Sequence, residues 1–250
     1  KQQAGSLLRE FIQNALDAKS SENQIVRVNI KEIEIPINKL KKYGIDQLEE
    51  IHINSFSKSQ KAGKSFSEKE YRDLFNSQKI RCLVMEDFGT TGLRGNIRPV
   101  HGEDLNDFQA FYEYEGITIK KSGNRSGSQG IGKAVFYTAS NIGTIFFMST
   151  RQESPKTIFS GISHYDGFRN KEGYAHDGSS YLANSIDPHK IPFSSEKFED
   201  YEESSNIIEE FRGDFNLTRN SNDKGLSIVV PFIKPFANEE TLLNEIVSEF

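Results

Sequence analysis

The segment IRCLVMED, residues 80–87, constrains this chain more than any other stretch. It is almost continuously apolar and ends in two acids, which is the pattern of a central β-strand that delivers carboxylates to its C-terminal edge. Elements of both kinds surround it. Helical spacing of Leu7, Leu8, Phe11, Ile12, Ala15 and Leu16 predicts a helix over 6–18, and the alternation in IVRVNIKEIEI predicts a half-buried strand over 25–35. NIGTIFFMST (141–150) and KTIFSGISHY (156–165) read as a hairpin, LSIVVPFI (226–233) as a last buried strand, and 131–140 as a helical start. Two polar stretches interrupt these elements, the first expected as an insertion or as connecting helices and the second as an insertion with a solvated surface. One is 38–76, with modest helical signals at 45–51 and 68–75; the other is the loop-rich 166–224, with the acidic run EKFEDYEE and a short helical pattern at 205–211. Strands that follow helices, with neighbours joined as hairpins, predict an α+β domain. Its expected form is a two-layer α/β sandwich in which helices cover one face of a mixed, mostly antiparallel sheet.

At 250 residues the chain is long enough for one large core. Charged residues at 27% against 35% hydrophobic fit an ordinary sheet carrying polar insertions. A net charge of −5 and a pI near 5.7 argue against a surface that grips nucleic acid throughout, while local basic patches stay open. The single cysteine, Cys82, lies inside the apolar run, so there is no disulfide framework or cysteine metal cluster and a cytoplasmic location is expected. No apolar run approaches the roughly 20 residues that cross a bilayer, and no membrane partner is expected. The sequence opens without Met and stops inside the pattern Leu242, Leu243, Ile246, Val247, Phe250. It therefore reads as part of a longer protein, in which 236–250 begins a following helix or domain or docks on this one.

Three polar motifs remain. GSQGIGKA, residues 127–134, resembles a P-loop in Gly127, Gly132 and Lys133, but Ala134 replaces the hydroxyl that holds magnesium, and the preceding KKSGNRS cannot be the required strand. A dinucleotide fingerprint fails as well, because Gly130-x-Gly132 lacks its third glycine. What survives is a glycine-rich loop running into a helix N-terminus, either a phosphate cradle or an ordinary helix start. EDFGTTG, residues 86–92, contains the Asp-Phe-Gly of protein kinases without their H-R-D loop upstream. Asp87 then sits at a strand end before a turn in which Gly89 and Gly92 allow close approach. Such a carboxylate can accept from an exocyclic amine like that of adenine, or simply open the turn. In REFIQNALDA, residues 9–18, Glu10, Asn14 and Asp17 fall within roughly 60° of one another on a helical wheel. Any amphipathic surface helix has a polar face, yet the amide oxygen of Asn14 is a hard ligand able to share a magnesium ion's surroundings.

In this order the motifs resemble those of the GHKL ATPases, the superfamily of heat-shock chaperones, DNA gyrase, MutL, MORC proteins and histidine kinases. Lys224-Gly225-Leu226-Ser227, entering the last strand, is similar to the Gly-x-Thr that closes the family's adenine pocket. The resemblance spans about residues 8–230. It implies the Bergerat fold over 1–235, a mobile ATP lid at about 93–129, and magnesium and ATP as ligands. It implies that Glu10 acts as the general base and that Asn14 is the metal ligand. Asp17 and Asp87 would line the nucleotide site, Asp87 taking the adenine amino group, with Gly89 and Gly92 shaping the base pocket. Gly127, Gly130, Ile131, Gly132 and Lys133 would surround the phosphates, and Ser227 would support Asp87. The spelling QNALDA is closer to the chaperone, MutL and MORC branch, whose logic is a switch: ATP closes the lid, the closed form homodimerises or clamps, and hydrolysis resets it. Links to a protein partner or to nucleic acid, in DNA processing or genome defence, rest on analogy. A histidine-kinase catalytic domain is an alternative, although no His precedes His52. A nucleotide-sensing module with little hydrolysis and an unrelated α+β domain are others.

Overall fold

The computed structural model describes residues 2–58, 68–97, 106–112, 133–153, 156–169, 173, 175–176, 178–184, 192–195 and 203–249. Helix α1 (Gln2–Asp17) buries Leu7, Leu8, Phe11 and Ala15, the stripe set by their spacing. Strand β1 (Arg27–Pro36) follows, then a 3₁₀ turn (Ile37–Tyr43), helices α2 (Ile45–Lys58) and α3 (Glu68–Phe75), and strand β2 (Lys79–Phe88). Two short helices, α4 (Asp107–Tyr112) and α5 (Ala134–Thr138), precede the hairpin of β3 (Thr144–Thr150) and β4 (Thr157–His164). β5 (Phe168–Arg169) and β6 (Ala175–His176) pair with each other, whereas β7 (Ser179–Leu182) and β8 (Phe193–Ser194) both pair with β4. Helix α6 (Ser205–Asp214), strand β9 (Gly225–Pro231), a second 3₁₀ turn (Pro235–Ala237) and helix α7 (Glu239–Glu249) complete the chain.

The main sheet runs β1-β2-β9-β3-β4-β7, with β8 beside β4. Every described ladder is antiparallel, so the sheet is not the mixed one that the sequence pattern predicts. The last strand, β9, is inserted at the centre between β2 and β3.

One face of the sheet carries α1, α4, α5 and α7 over Leu83, Met85, Ile145, Phe147, Ile228 and Val230. This is the α/β packing that the sequence predicts. The opposite face is also covered: Cys82, Val84, Phe146, Met148, Phe159 and Val229 meet Leu40, Tyr43 and Ile45 from the first predicted insertion and Phe211 and Phe215 from the second. Helices on one face only is therefore corrected to helices on both. The cause is visible in β2, where consecutive side chains point to opposite faces and both sets are apolar, so either face left in water would expose a hydrophobic stripe.

The segment read as a mobile lid is anchored where it is described. Leu93 and Ile97 are buried, and α4 inserts Phe108 and Tyr112 into the core. A capping box starts α4: Asn106 Oδ1 accepts from the Gln109 amide at 2.9 Å and Gln109 Oε1 from the Asn106 amide at 3.4 Å. Helix α7 packs on α1 and β1 with Leu242 buried, so 239–249 docks on this domain.

Candidate functional site

β2 ends in two adjacent acids that strand alternation turns to opposite faces. Glu86 shares the side of Cys82 and Val84. It is fully buried and its carboxylate accepts from the Thr218 amide (3.0 Å), the Thr218 hydroxyl (2.7 Å), the Arg219 amide (3.2 Å) and the Ser227 hydroxyl (3.2 Å). Every one of these donors comes from the approach to β9 or from β9 itself, and the residue is a staple that ties that approach onto β2. Asp87 shares the side of Leu83 and Met85, the face that α1 covers.

Asp87 is 4% exposed. Its Oδ1 accepts from the Thr90 hydroxyl at 2.5 Å and from the Leu226 amide at 2.9 Å, while Oδ2 has no hydrogen bond among the described residues. Burial pushes the Asp87 carboxyl above the usual carboxylate range. The Thr90 hydroxyl, the Leu226 amide and the Arg219 charge oppose that rise, and the Glu86 charge adds to it. The acid is thus held by one oxygen in a site that raises the cost of its charge.

The C-terminal end of α1 is stitched to the turn that follows Asp87. The Ser20 amide donates to Gly89 O at 3.1 Å, the Thr91 amide to Ala18 O at 2.8 Å, and Lys19 bridges to Thr90. Gly89 and Gly92 make the turn possible, with φ of +79° and +63°. A Cβ at Gly89 would stand 2.3 Å from Ile25 O, and one at Gly92 2.6 Å from Thr150 O. What passes close to these glycines is the chain itself.

On the outer face of α1, Asn14 Nδ2 donates to Glu10 Oε1 at 3.1 Å, the i,i+4 geometry expected from the sequence. With the amide nitrogen engaged, Oδ1 is the atom of Asn14 left for a cation. Asp17 lies exposed on the last turn of α1. Among the described residues no group of three or more His, Cys, Asp or Glu is arranged to hold a metal ion.

Two expected site residues are placed differently. Ser227 is fully buried and donates to Glu86, not Asp87. The register that pairs Ser227 with Glu86 leaves Asp87 one residue further, pointing to the other face. Lys133 heads α5 with Nζ donating to Ala110 O at 3.1 Å and Phe111 O at 3.2 Å, which ties α4 to α5. Gly127, Gly130, Ile131 and Gly132 lie outside the described residues. Three residues that the sequence reading passes over belong to the site's frame: Thr90 on Asp87, Glu86 as the staple, and Arg219, which is fully buried. Thr90 sits inside the quoted turn and could have been found there. Arg219 stands in the polar string LTRNSN and carries no periodic signal.

Comparison of the chain with protein-family models, curated proteins and solved structures gave no match in any of the three.

Proposed function

We propose that this chain is a magnesium-dependent ATPase module of the GHKL type that acts as a conformational switch in a larger protein. The observation that carries the reading is Asp87. A buried carboxylate on the α1 face has one oxygen fixed by Thr90 and Leu226 and the other without a protein donor, a suitable acceptor for one amine of a flat base. The stitching of α1 to the Gly89–Thr91 turn supports it, because it makes the Glu10 and Asn14 helix and the Asp87 strand end one rigid wall.

In this reading Asp87 accepts from the adenine amino group. Asn14 contributes Oδ1 to the ion that accompanies the nucleotide, and Asn14 Nδ2 orients the Glu10 carboxylate. Glu10 takes the proton of the attacking water, a role worth typically ~10²–10⁴-fold in rate. The bound magnesium supplies charge neutralisation at the phosphates. The sequence motif of residues 127–132 is the phosphate-binding element of this reading, and nucleotide binding promotes homodimerisation.

Calorimetry with MgATP tests the pocket. The parent is expected to bind, and Asp87→Asn, which keeps the shape and both local hydrogen bonds, to bind roughly 10–100-fold more weakly, the loss of one hydrogen bond to a charged acceptor. Equal binding by the two removes Asp87 from the site, and a parent that does not bind removes the ATP reading. Hydrolysis is tested separately: Glu10→Ala is expected to retain MgATP binding and to lose ~10²-fold or more in turnover.

A further inference from the structure

Arg219 is the largest fully buried side chain among the described residues, at 0% exposure; its backbone amide donates to Glu86, but its guanidinium donates to neither the Glu86 nor the Asp87 carboxylate. Its Nε donates to Ser227 Oγ at 2.9 Å, Nη1 to Asp223 O at 2.8 Å, and Nη2 to Leu226 O at 2.9 Å and to the backbone carbonyl of Asp87. The guanidinium also stacks on the Phe88 ring, 4.6 Å from its centroid, and Arg27 stacks on the same ring at 4.3 Å. A buried guanidinium ordinarily forms a fork with a carboxylate. Here the fork holds backbone on both sides of the β2–β9 junction, and the charge acts on the acid only through space.

The arrangement is tightly built. A Cβ at Gly225 would stand 2.4 Å from Asp87 Oδ1 and 2.8 Å from Arg219 Nη1, so no side chain fits between the clamp and the acid. The carbonyl that Nη2 grips at Leu226 belongs to the residue whose amide fixes Asp87 Oδ1. Release of the guanidinium therefore frees both the acid's backbone and the donor that aims its carboxylate.

We propose that Arg219 is the positioning residue of this site: it clamps Asp87 and Leu226 so that Asp87 Oδ2 faces the ligand, and its buried charge acts on that carboxylate through space without quenching it as an ion pair. The identity of the ligand as adenine rests on the function proposed above, whereas the action of Arg219 on Asp87 does not depend on it. The charged groups around Asp87 are Glu86 on its own strand and Arg219 from the connection before β9; Asp223 lies against Arg219, and Arg27 lies across Phe88 at the start of β1. Burial raises the Asp87 carboxyl and Arg219 opposes that rise, so loss of the cation moves the titration of Asp87 upward.

The test is a carboxyl-carbon NMR titration of Asp87 in the parent, Arg219→Met and Arg219→Lys, with Asp87→Asn identifying the resonance and MgATP calorimetry run alongside. Arg219→Met is expected to raise the Asp87 midpoint and to weaken MgATP about tenfold or more at neutral pH, with part of that loss recovered as the pH rises and the acid ionises. Arg219→Lys, which keeps the charge but cannot span three acceptors, is expected to hold the midpoint near the parent's, shift the Asp87 resonance, and bind MgATP with intermediate affinity. A folded Arg219→Met with an unchanged Asp87 midpoint overturns the proposal. Where that variant does not fold, an Arg219→Lys variant whose Asp87 resonance matches the parent's overturns it. If Arg219→Met moves the midpoint while the parent binds no MgATP, the positioning role stands and the ATP reading fails.

Discussion

The two faces of the sheet solve the same packing problem and end with opposite treatments of charge. On the face under α2, α3 and α6, Tyr43, Phe146, Phe159, Phe211 and Phe215 form a closed aromatic cluster, and Glu86 at its edge has its carboxylate oxygens engaged by local donors. On the face under α1, Asp87 is buried with one carboxylate oxygen lacking a protein donor among the described residues, and Glu10 and Asn14 face outward from the covering helix. Asp87 Oδ2 accepts from no protein donor among the described residues, so it remains an acceptor for a ligand or for water. The aromatic face carries an acid with both oxygens engaged, and the α1 face an acid with one acceptor to spare.

The strongest way to sharpen that contrast is to damage the closed face. Phe211 is fully buried, with ring centroids 4.3 Å from Phe159, 4.6 Å from Phe215 and 5.5 Å from Tyr43. Phe211→Ala is expected to cost ~3–5 kcal/mol in urea unfolding, because the surrounding rings cannot collapse into the space left. MgATP affinity of the molecules that remain folded should be unchanged. A large fall in affinity would mean that the aromatic face is part of the site and that the two faces are not separable.

Next in size is the pair of neighbouring acids. Glu86→Ala leaves the Thr218 and Arg219 amides without their acceptor and is expected to destabilise by ~2–3 kcal/mol, read as a lower urea midpoint. Asp87→Asn removes no local hydrogen bond, since an amide oxygen accepts from Thr90 and Leu226 as a carboxylate oxygen does. Its stability should match or exceed the parent's. Equal destabilisation by the two substitutions would erase the distinction between staple and site.

Much of this division was legible in the sequence, and the misses have physical causes. The helix over 6–18, the hairpin and the strands at 25–35, 80–87 and 226–233 follow from periodicity and stand in the structure. The apolar character of β2 on both sides already required two covers, but the polar segments 38–76 and 166–224 disguised them. In those segments the buried residues, Leu40, Tyr43, Phe211 and Phe215 among them, are sparse and separated by Lys, Glu and Ser, so composition reads as surface while a few large rings do the covering. Glu10 and Asn14 were legible because an i,i+4 pair needs only the helix to be right. The partner of Ser227 was not, because it depends on the β2–β9 register, which spans about half the chain and which no local pattern fixes. Arg219 was not, because a buried arginine and an exposed one have the same sequence context until the acceptors around them are in place.

The smallest expected effect separates the faces by the sign of a pH dependence. Asp214, at the end of α6, meets Lys42 Nζ at 2.8 Å, Lys39 Nζ at 3.1 Å and the Tyr43 hydroxyl at 2.9 Å. Burial alone would raise its carboxyl, but those three bonds outweigh burial and hold it below the ordinary range. A folded-state pKa below the unfolded value of about 3.9 means that Asp214 adds stability above that pH and loses it as pH falls through the folded value. Asp87 has the opposite shift. Its stability contribution is complete below about 3.9 and is lost as pH rises through its elevated folded value. Asp214→Asn should therefore be less stable than the parent near neutrality and converge with it in acid, whereas Asp87→Asn should be at least as stable near neutrality and also converge in acid. Urea midpoints of the two variants across that range read both signs. If both variants lose stability near neutrality, Asp87 is a second satisfied anchor like Asp214, and the α1 face keeps no acceptor for a ligand.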